Sequence, residues 1–209
     1  MNQIFDFFLA PYQTASTFDI ILEITAVLFG IVSVLFAKKE SVWVYPTGII
    51  STVIYVYICF QFTLYGDVII NLYYTLMSVY GWYIWTRLVQ GQHLEITISS
   101  KKDLLKSLGI FLSTAVFVVV VYLYFNRFDR MTDYFDTFTT GVFFAAMWMM
   151  ANKKIEHWIL WIIGNLISIP LYFVKGLGFS GIQFSIFLML AILGYIKWKK
   201  HLNSNPQIA

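Results

Sequence analysis

HWILWIIGNLISIPLYF, residues 157–173, is almost wholly apolar. As a helix it would be about 26 Å long, close to the roughly 30 Å hydrocarbon thickness of a bilayer. Yet it holds Trp158, Trp161, Asn165, Ser168 and Tyr172 at spacings of 3, 4, 3 and 4, and Pro170 beside them. That spacing places the five on one stripe of a helix. An amide in hydrocarbon must find partners or cost several kcal/mol. Two readings stay open for Trp161 and Asn165: contact with a bound substrate, or a hydrogen bond to a neighbouring helix worth roughly 1 kcal/mol. Trp158 sits at the end of the run, where a membrane-interface belt residue is the alternative to a substrate contact. Pro170 takes the helical donor from the carbonyl of Leu166, so a bend is expected. It is either re-satisfied locally or acts as a hinge that opens room beside Asn165.

Six more runs of this kind fill the chain. With 157–173 they read as spans at about 18–37, 42–60, 67–86, 104–125, 134–151, 158–174 and 179–196. The chain is 59% hydrophobic and only 12% charged, against about 25% charge in soluble domains, so the apolar surplus must face lipid. The expected fold is an all-α integral membrane protein of seven transmembrane helices, with residues 1–209 forming a single membrane domain. Cys59 is the one cysteine and allows no intramolecular disulfide. His93, His157 and His201 share no ligand spacing, so no metal or cofactor is expected. The opening MNQIFDFFLAPY has no positive n-region and reads as an interfacial segment rather than a signal peptide. A net charge of +3 confined to loops gives no surface for nucleic acid.

Seven spans put the termini on opposite sides. One side collects Lys38, Lys39, Arg87, Lys101, Lys102, Lys106, Lys153, Lys154, Lys197, Lys199 and Lys200. The other holds Arg127, Arg130 and Lys175 with the acids Asp6, Asp19, Asp67, Asp129, Asp133 and Asp136. The positive-inside rule then predicts an outer N-terminus and a cytoplasmic C-terminus in a bacterial inner membrane.

A repeat is also legible. Lys38-Lys39-x3-Trp43 recurs as Lys153-Lys154-x3-Trp158, and GWYIW (81–85) recurs as GYIKW (194–198). Both halves would start from the same side. This predicts parallel three-helix repeats over 18–86 and 134–197 joined by a linker helix at 104–125, an arrangement that places the substrate between the halves. Asn165 has no amide counterpart at Ile50, so the second half would supply most of the recognition.

Other candidates lie at depth. Asn71, Tyr74, Ser78, Gly81 and Trp85 form a second 3, 4, 3, 4 stripe, with Trp82 off it. The fifth span offers Trp148 below Thr139 and Thr140, and the seventh offers Gln183. Glu23 is an acid inside an apolar run, read as functional or as snorkelling to the surface. Indoles, phenols and amides with few charges suit a flat heteroaromatic ring, above all a cationic one. A channel would want rings of carbonyls or charges. Neither a G-x-x-x-x-G-K-[ST] loop nor a chain of proton-relay acids is present, which favours facilitated diffusion. No nucleophile, base and metal constellation suggests an enzyme.

Two motifs carry a family resemblance. Trp158-x-x-Trp161-x-x-x-Asn165 resembles the WxxWxxxN motif of the PnuC family of vitamin transporters, and Tyr74-x6-Gly81-Trp82-x-x-Trp85 resembles its YxxxxxxGWxxW motif. WVYPTG (43–48), LYGD (64–67) and ISIPLYFVKGL (167–177) add to the likeness. The resemblance implies nicotinamide riboside uptake, a fold similar to full-length SWEET transporters, no energy coupling, and trapping through phosphorylation by a cytoplasmic riboside kinase. It implies substrate contacts at Trp161 and Asn165, with Tyr74 and Trp82 or Trp85 lining or bracing the site. Thiamine is the alternative substrate, with riboflavin another in the family. A seven-helix receptor that binds without transport is the alternative of another class. A homo-oligomer is compatible with all of these. The substrate-binding set is thus Trp158, Trp161, Asn165, Ser168, Tyr74, Asn71, Trp148 and Gln183, and the gate or hinge set is Pro170, Glu23, Trp82 and Trp85.

Overall fold

The structure, a computed structural model, describes residues 16–61, 65–89, 91–125, 128, 130–174 and 178–204. The opening segment and Asp6, Arg127, Asp129 and Lys175 lie outside them. The described chain forms helices α1 (Thr17–Lys38), α2 (Val44–Gln61), α3 (Tyr65–Thr86), α4 (Lys101–Tyr124), α5 (Met131–Ala151), α6 (His157–Val174) and α7 (Gly178–Ser204). Between α3 and α4, two short strands, β1 (Leu88–Val89) and β2 (Gln92–His93), pair antiparallel. Each expected span falls on one helix. The difference is α7, which runs on past 196 and lifts Lys197, Lys199 and Lys200 beyond the apolar stretch.

Five helices, α1, α2, α4, α6 and α7, are long and apolar enough to cross a membrane. α3 and α5 match them in length, at 22 and 21 residues, but are more polar. For α5 the reason is packing. Most of its residues are buried by neighbouring helices, including Asp133, Thr137 and Thr139. A helix shielded by protein needs less apolar surface than one facing lipid.

Local chemistry sets the helix ends. Ser100 Oγ accepts from Asp103 N while Asp103 returns to Ser100 N, a capping box that starts α4. At the acidic end, Asp133 accepts from Arg130 N at 2.8 Å and is only 3% exposed. α1 and α5 stop in the same way. Glu40 (φ 58°) and Lys153 (φ 49°) adopt the left-handed conformation. Ser41 N donates to Phe36 O and Glu40 N to Ala37 O; Lys154 N donates to Met149 O and Lys153 N to Met150 O. Both sets are Schellman caps. The turns that follow also match: Val44 N to Ser41 O and Tyr45 N to Val42 O recur as His157 N to Lys154 O and Trp158 N to Ile155 O.

Every one of these bonds recurs at a spacing of 113 residues. These bonds follow the 113-residue spacing of Gly81 and Gly194 and not the 115-residue spacing of the lysine pairs. Trp158 matches Tyr45, and the sequence-matched Trp43 is 60% exposed while Tyr45 is fully buried.

Packing follows an equally regular order. α2 lies between α1 and α3, and α6 lies between α5 and α7. α1 packs on α7, α3 packs on α5, and α4 attaches to α5. The densest core sits at the lysine-rich end, where Tyr45, Trp85, Ile96, Trp158, Trp198 and Leu202 are all buried. The stretch after β2 is strapped across that end. Thr97 N donates to Lys153 O and Ile155 N to Thr97 O, each at 3.1 Å, while Ser99 N and Oγ donate to the Glu156 carboxylate. Lys154 Nζ reaches Asp103 at 3.1 Å. These bonds tie the α3–α4 connection to the α5–α6 turn.

Candidate functional site

The 157–173 stripe divides by depth into two clusters. Halfway along α6, Asn165 is 2% exposed and Ser168 1%. Asn165 Oδ1 and Ser168 Oγ are sealed from solvent and have no hydrogen-bond partner among the described residues. Such acceptors are costly unless something donates to them. Aromatic rings gather at this level. Trp161 stacks on Phe143 of α5 (centroids 5.1 Å apart, 26° between planes) and lies 6.5 Å from Tyr74 of α3. Phe143 is stacked in turn on Phe184 of α7, which meets Tyr172 at 4.8 Å. Tyr73 stacks on Phe144 at 3.7 Å and donates its hydroxyl to Phe144 O at 3.0 Å. The close approach of α5 and α6 depends on Gly164, because a methyl group there would overlap the Phe143 ring. The arrangement offers flat π-surfaces and two buried acceptors, which suits a planar ring bearing N–H or O–H donors.

Trp158 belongs to the second cluster, at the lysine-rich end. Its ring meets Trp198 edge-on at 5.7 Å and lies over Gly194, where a Cβ would come within 2.6 Å of it. Tyr45 and Trp85 repeat the arrangement, with rings edge-on at 5.1 Å and Tyr45 lying over Gly81. The two sets join where Trp85 and Trp198 approach to 6.3 Å. Each of these indoles crosses to the other half. Trp85 Nε1 donates to Ala151 O at the end of α5, and Trp198 Nε1 donates to Ala37 O at the end of α1, both at 3.1 Å. Lys153 Nζ lies 4.5 Å from the Trp85 ring centroid. Burial holds its ammonium below the usual lysine range, and Glu40 and Glu95 partly offset this. Trp158 and Trp85 thus help to seal one end of the bundle rather than meeting Asn165.

The remaining expected residues scatter. Asn71 turns its amide back to Asp67 O at 2.9 Å. Gln183 faces the Tyr55 phenol, with Glu23 within electrostatic reach. Trp148 lines a cleft of about 490 Å³ between α3, α4 and α5, on the far side of Tyr73 and Phe144 from Tyr74's partner Trp161. Trp82 is 42% exposed on the outer face of α3, a position that suits a lipid contact and not a gate. Pro170 is exposed, while Asn165 and Ser168 are buried, and α6 continues through it. Its ring therefore lies on the face of α6 opposite Asn165 and Ser168. Phe143, Phe144, Phe184 and Tyr73 escaped the sequence reading. Only the neighbouring Gly164 hinted that a ring must lie against α6.

Comparison with known proteins bears on the fold and the family. The family described as Nicotinamide mononucleotide transporter matches residues 20–200. The nicotinamide riboside transporter PnuC of Escherichia coli (strain K12) is 22% identical over 204 residues, covering 85% of this chain and 84% of that protein. The PnuC of Neisseria mucosa is 26% identical, covering 84% and 70%. The riboflavin/roseoflavin transporter RibM of Streptomyces davaonensis is 24% identical, covering 82% and 81%. The crystal structure of the vitamin B3 transporter PnuC superposes with a TM-score of 0.66 at 23% identity, covering 88% of this chain and 82% of that one. A membrane-embedded helical bundle with this fold, matched across nearly its whole length, belongs to the PnuC family of vitamin transporters.

Proposed function

We propose that this chain carries nicotinamide riboside across the bacterial inner membrane by facilitated diffusion, and that phosphorylation by a cytoplasmic riboside kinase traps it. The observation that carries the reading is the pair of sealed acceptors, Asn165 Oδ1 and Ser168 Oγ, beside the Trp161, Phe143 and Tyr74 rings. A pyridinium ring finds aromatic faces there that attract a desolvated cation. Its carboxamide and ribose hydroxyls supply the donors that the two acceptors need. The riboflavin/roseoflavin relative supports a second reading, a different flat vitamin at the same residues; thiamine is the candidate closest in charge.

The proposed architecture is seven spans in parallel three-plus-one-plus-three order. The shared 113-residue spacing of caps, turns and glycines supports it, as does the reciprocal packing of α1 on α7 and α3 on α5. The lysine-rich end faces the cytoplasm, so the N-terminus is outside. In this reading the crossed indoles of Trp85 and Trp198, bonded to Ala151 O and Ala37 O, are the inner gate.

Proteoliposomes holding only this protein test the reading. Labelled nicotinamide riboside should accumulate when a riboside kinase is enclosed, and only equilibrate without it. Accumulation without a kinase would refute facilitated diffusion. Binding without entry would indicate a receptor, and much tighter binding of thiamine or riboflavin would move the substrate assignment.

A further inference from the structure

The cleft that holds Trp148 lies outside the central site. α3 and α4 both pack on α5, yet neither packs substantially on the other. Phe144 and Trp148 of α5 form its floor. Tyr73 and Met77 form one wall, and Lys106, Gly109 and Ser113 the other. A Cβ added at Gly109 would meet nothing within 4 Å, so the wall is open there. By contrast, α4 and α5 meet tightly beside it: a Cβ on Gly141, about one turn from Phe144 toward the acidic end of α5, would come within 2.8 Å of the Phe111 ring. The cleft therefore ends near mid-helix and opens toward the lysine-rich end. From Lys106 to Ser113 it runs about 10 Å, two-thirds of one leaflet's hydrocarbon depth of roughly 15 Å.

Charge identifies the occupant. Lys106 is the cleft's one charged lining residue, and it sits at the mouth, one turn inside Lys102 on the same face of α4. Among the described residues, Lys101, Lys102 and Lys106 form no ion pair, while the nearby Asp103 is held by Lys154 and Ser100. Gly109 and Ser113 have the spacing that also admits a helix of a second copy. However, the helices of this chain carry Asp19, Glu23, Asp67, Asp133 and Asp136 at the opposite end. A copy in the same orientation presents no free carboxylate on a helix to Lys106, since Asp103 is held by Lys154 and Ser100 and the exposed Glu95 lies in the connection between β2 and α4. An anionic phospholipid does present an anion there, because its phosphate lies just above the hydrocarbon while an acyl chain fills the apolar floor. Basic pockets between helices recognise such head groups at about 1 kcal/mol per lysine.

We propose that the α3–α4–α5 cleft is a binding site for an anionic phospholipid, with one acyl chain over Trp148 and Phe144 and the head group at Lys106. This site is independent of which vitamin is carried.

The full-length protein is reconstituted in phosphatidylcholine containing a minor fraction of phosphatidylglycerol brominated on its acyl chains, and tryptophan fluorescence is recorded. Brominated phosphatidylglycerol should quench more than brominated phosphatidylcholine at equal fraction, as about fivefold enrichment predicts for one lysine. The excess should disappear in Trp148→Phe and fall to the phosphatidylcholine level in Lys106→Gln. Gly109→Leu, which fills open space, should abolish it with Lys106 intact. Equal quenching by the two lipids, or an excess that survives both Lys106→Gln and Gly109→Leu, would overturn the proposal. So would an Asp or Glu crosslink that places a second copy in the cleft.

Discussion

Replacing Asn165 by leucine should stabilise the empty protein and weaken its ligand binding. Leucine keeps the branching at Cγ and removes both polar atoms. In the structure, Asn165 is 2% exposed and its Oδ1 has no partner among the described residues. A buried polar atom left unsatisfied costs about 1–3 kcal/mol. Its removal should recover part of that, about 1 kcal/mol, and raise the melting temperature by a few degrees for a chain of this size. Binding should move the other way. A ligand donor that reaches Oδ1 relieves the same penalty, so its loss should weaken nicotinamide riboside binding by roughly 5- to 150-fold. The ligand-induced rise in melting temperature should shrink with the affinity. Scanning fluorimetry with and without the riboside, paired with titration calorimetry, measures both. Ser168→Ala should repeat the pattern more weakly, since Ser168 Oγ is sealed in the same way. A lower melting temperature with unchanged affinity would refute the reasoning, because that is how an asparagine bonded to a neighbouring helix behaves.

Other expected outcomes concern the lysine-rich end. Trp85→Phe and Trp198→Phe each remove one 3.1 Å indole bond between the halves, worth about 1 kcal/mol. A cysteine placed at Ala191, buried in this core, should then be alkylated about fivefold faster in either variant on a Cys59→Ser background; an unchanged rate would count against the gate. Gly194→Ala places a methyl 2.6 Å from the Trp158 ring, an overpacking expected to cost about 1–3 kcal/mol. Trp158→Phe should restore part of the melting temperature. Lys153 has its proton affinity lowered by burial, so between its folded pKa and the ordinary 10.5 the unfolded chain binds more protons. Stability should therefore rise with pH through that window, and Lys153→Met should flatten the rise in thermal melts run below pH 10.

The spans were legible because charge is confined to short clusters, and a helix in lipid has no other way to hide its backbone. α5 shows the limit. Its Thr and Asp residues are tolerated because other helices cover it, and burial by protein leaves no hydropathy signal. The sequence offers two spacings for the proposed repeat, 115 residues from the lysine pairs and 113 from Gly81 and Gly194. The lysine pairs were the most visible match, yet backbone bonding sets the register, and Lys153 corresponds to Glu40 through its left-handed conformation. Periodicity found the face of α6 that carries Trp161, Asn165 and Ser168. It does not report depth, and Trp158 on the same stripe lies about one, two and three turns from Trp161, Asn165 and Ser168. The ring partners Phe143 and Phe184 gave no signal, because one phenylalanine among 20 looks like any other. Trp82 enters through the GWxxW motif and Trp148 through its place below Thr139 and Thr140; the structure puts Trp82 on an exposed face and Trp148 in the α3–α4–α5 cleft.

Under the proposed duplication, the two halves divide the work in a way that bonding makes explicit. At the 113-residue spacing, Asn165 corresponds to Thr52. Thr52 Oγ1 shares a 2.7 Å hydrogen bond with Thr75 Oγ1 of α3, and Thr75 bonds its own helix at Asn71 O. The position one residue earlier differs too. Ser51 ties α2 to α1 through Ala26 O at 2.8 Å, where the second half has Gly164 pressed against Phe143. At these two positions the first half therefore satisfies its polar groups internally and holds its helices by hydrogen bonds. The second half uses ring packing and leaves two acceptors for a ligand. Substitution should separate these roles. Thr52→Val, which keeps the shape and removes the hydroxyl, should lower the melting temperature by the worth of one hydrogen bond, about 1 kcal/mol, and leave riboside affinity unchanged. A loss of affinity without a loss of stability would place recognition in both halves, and the asymmetry argued from Asn165 would fail.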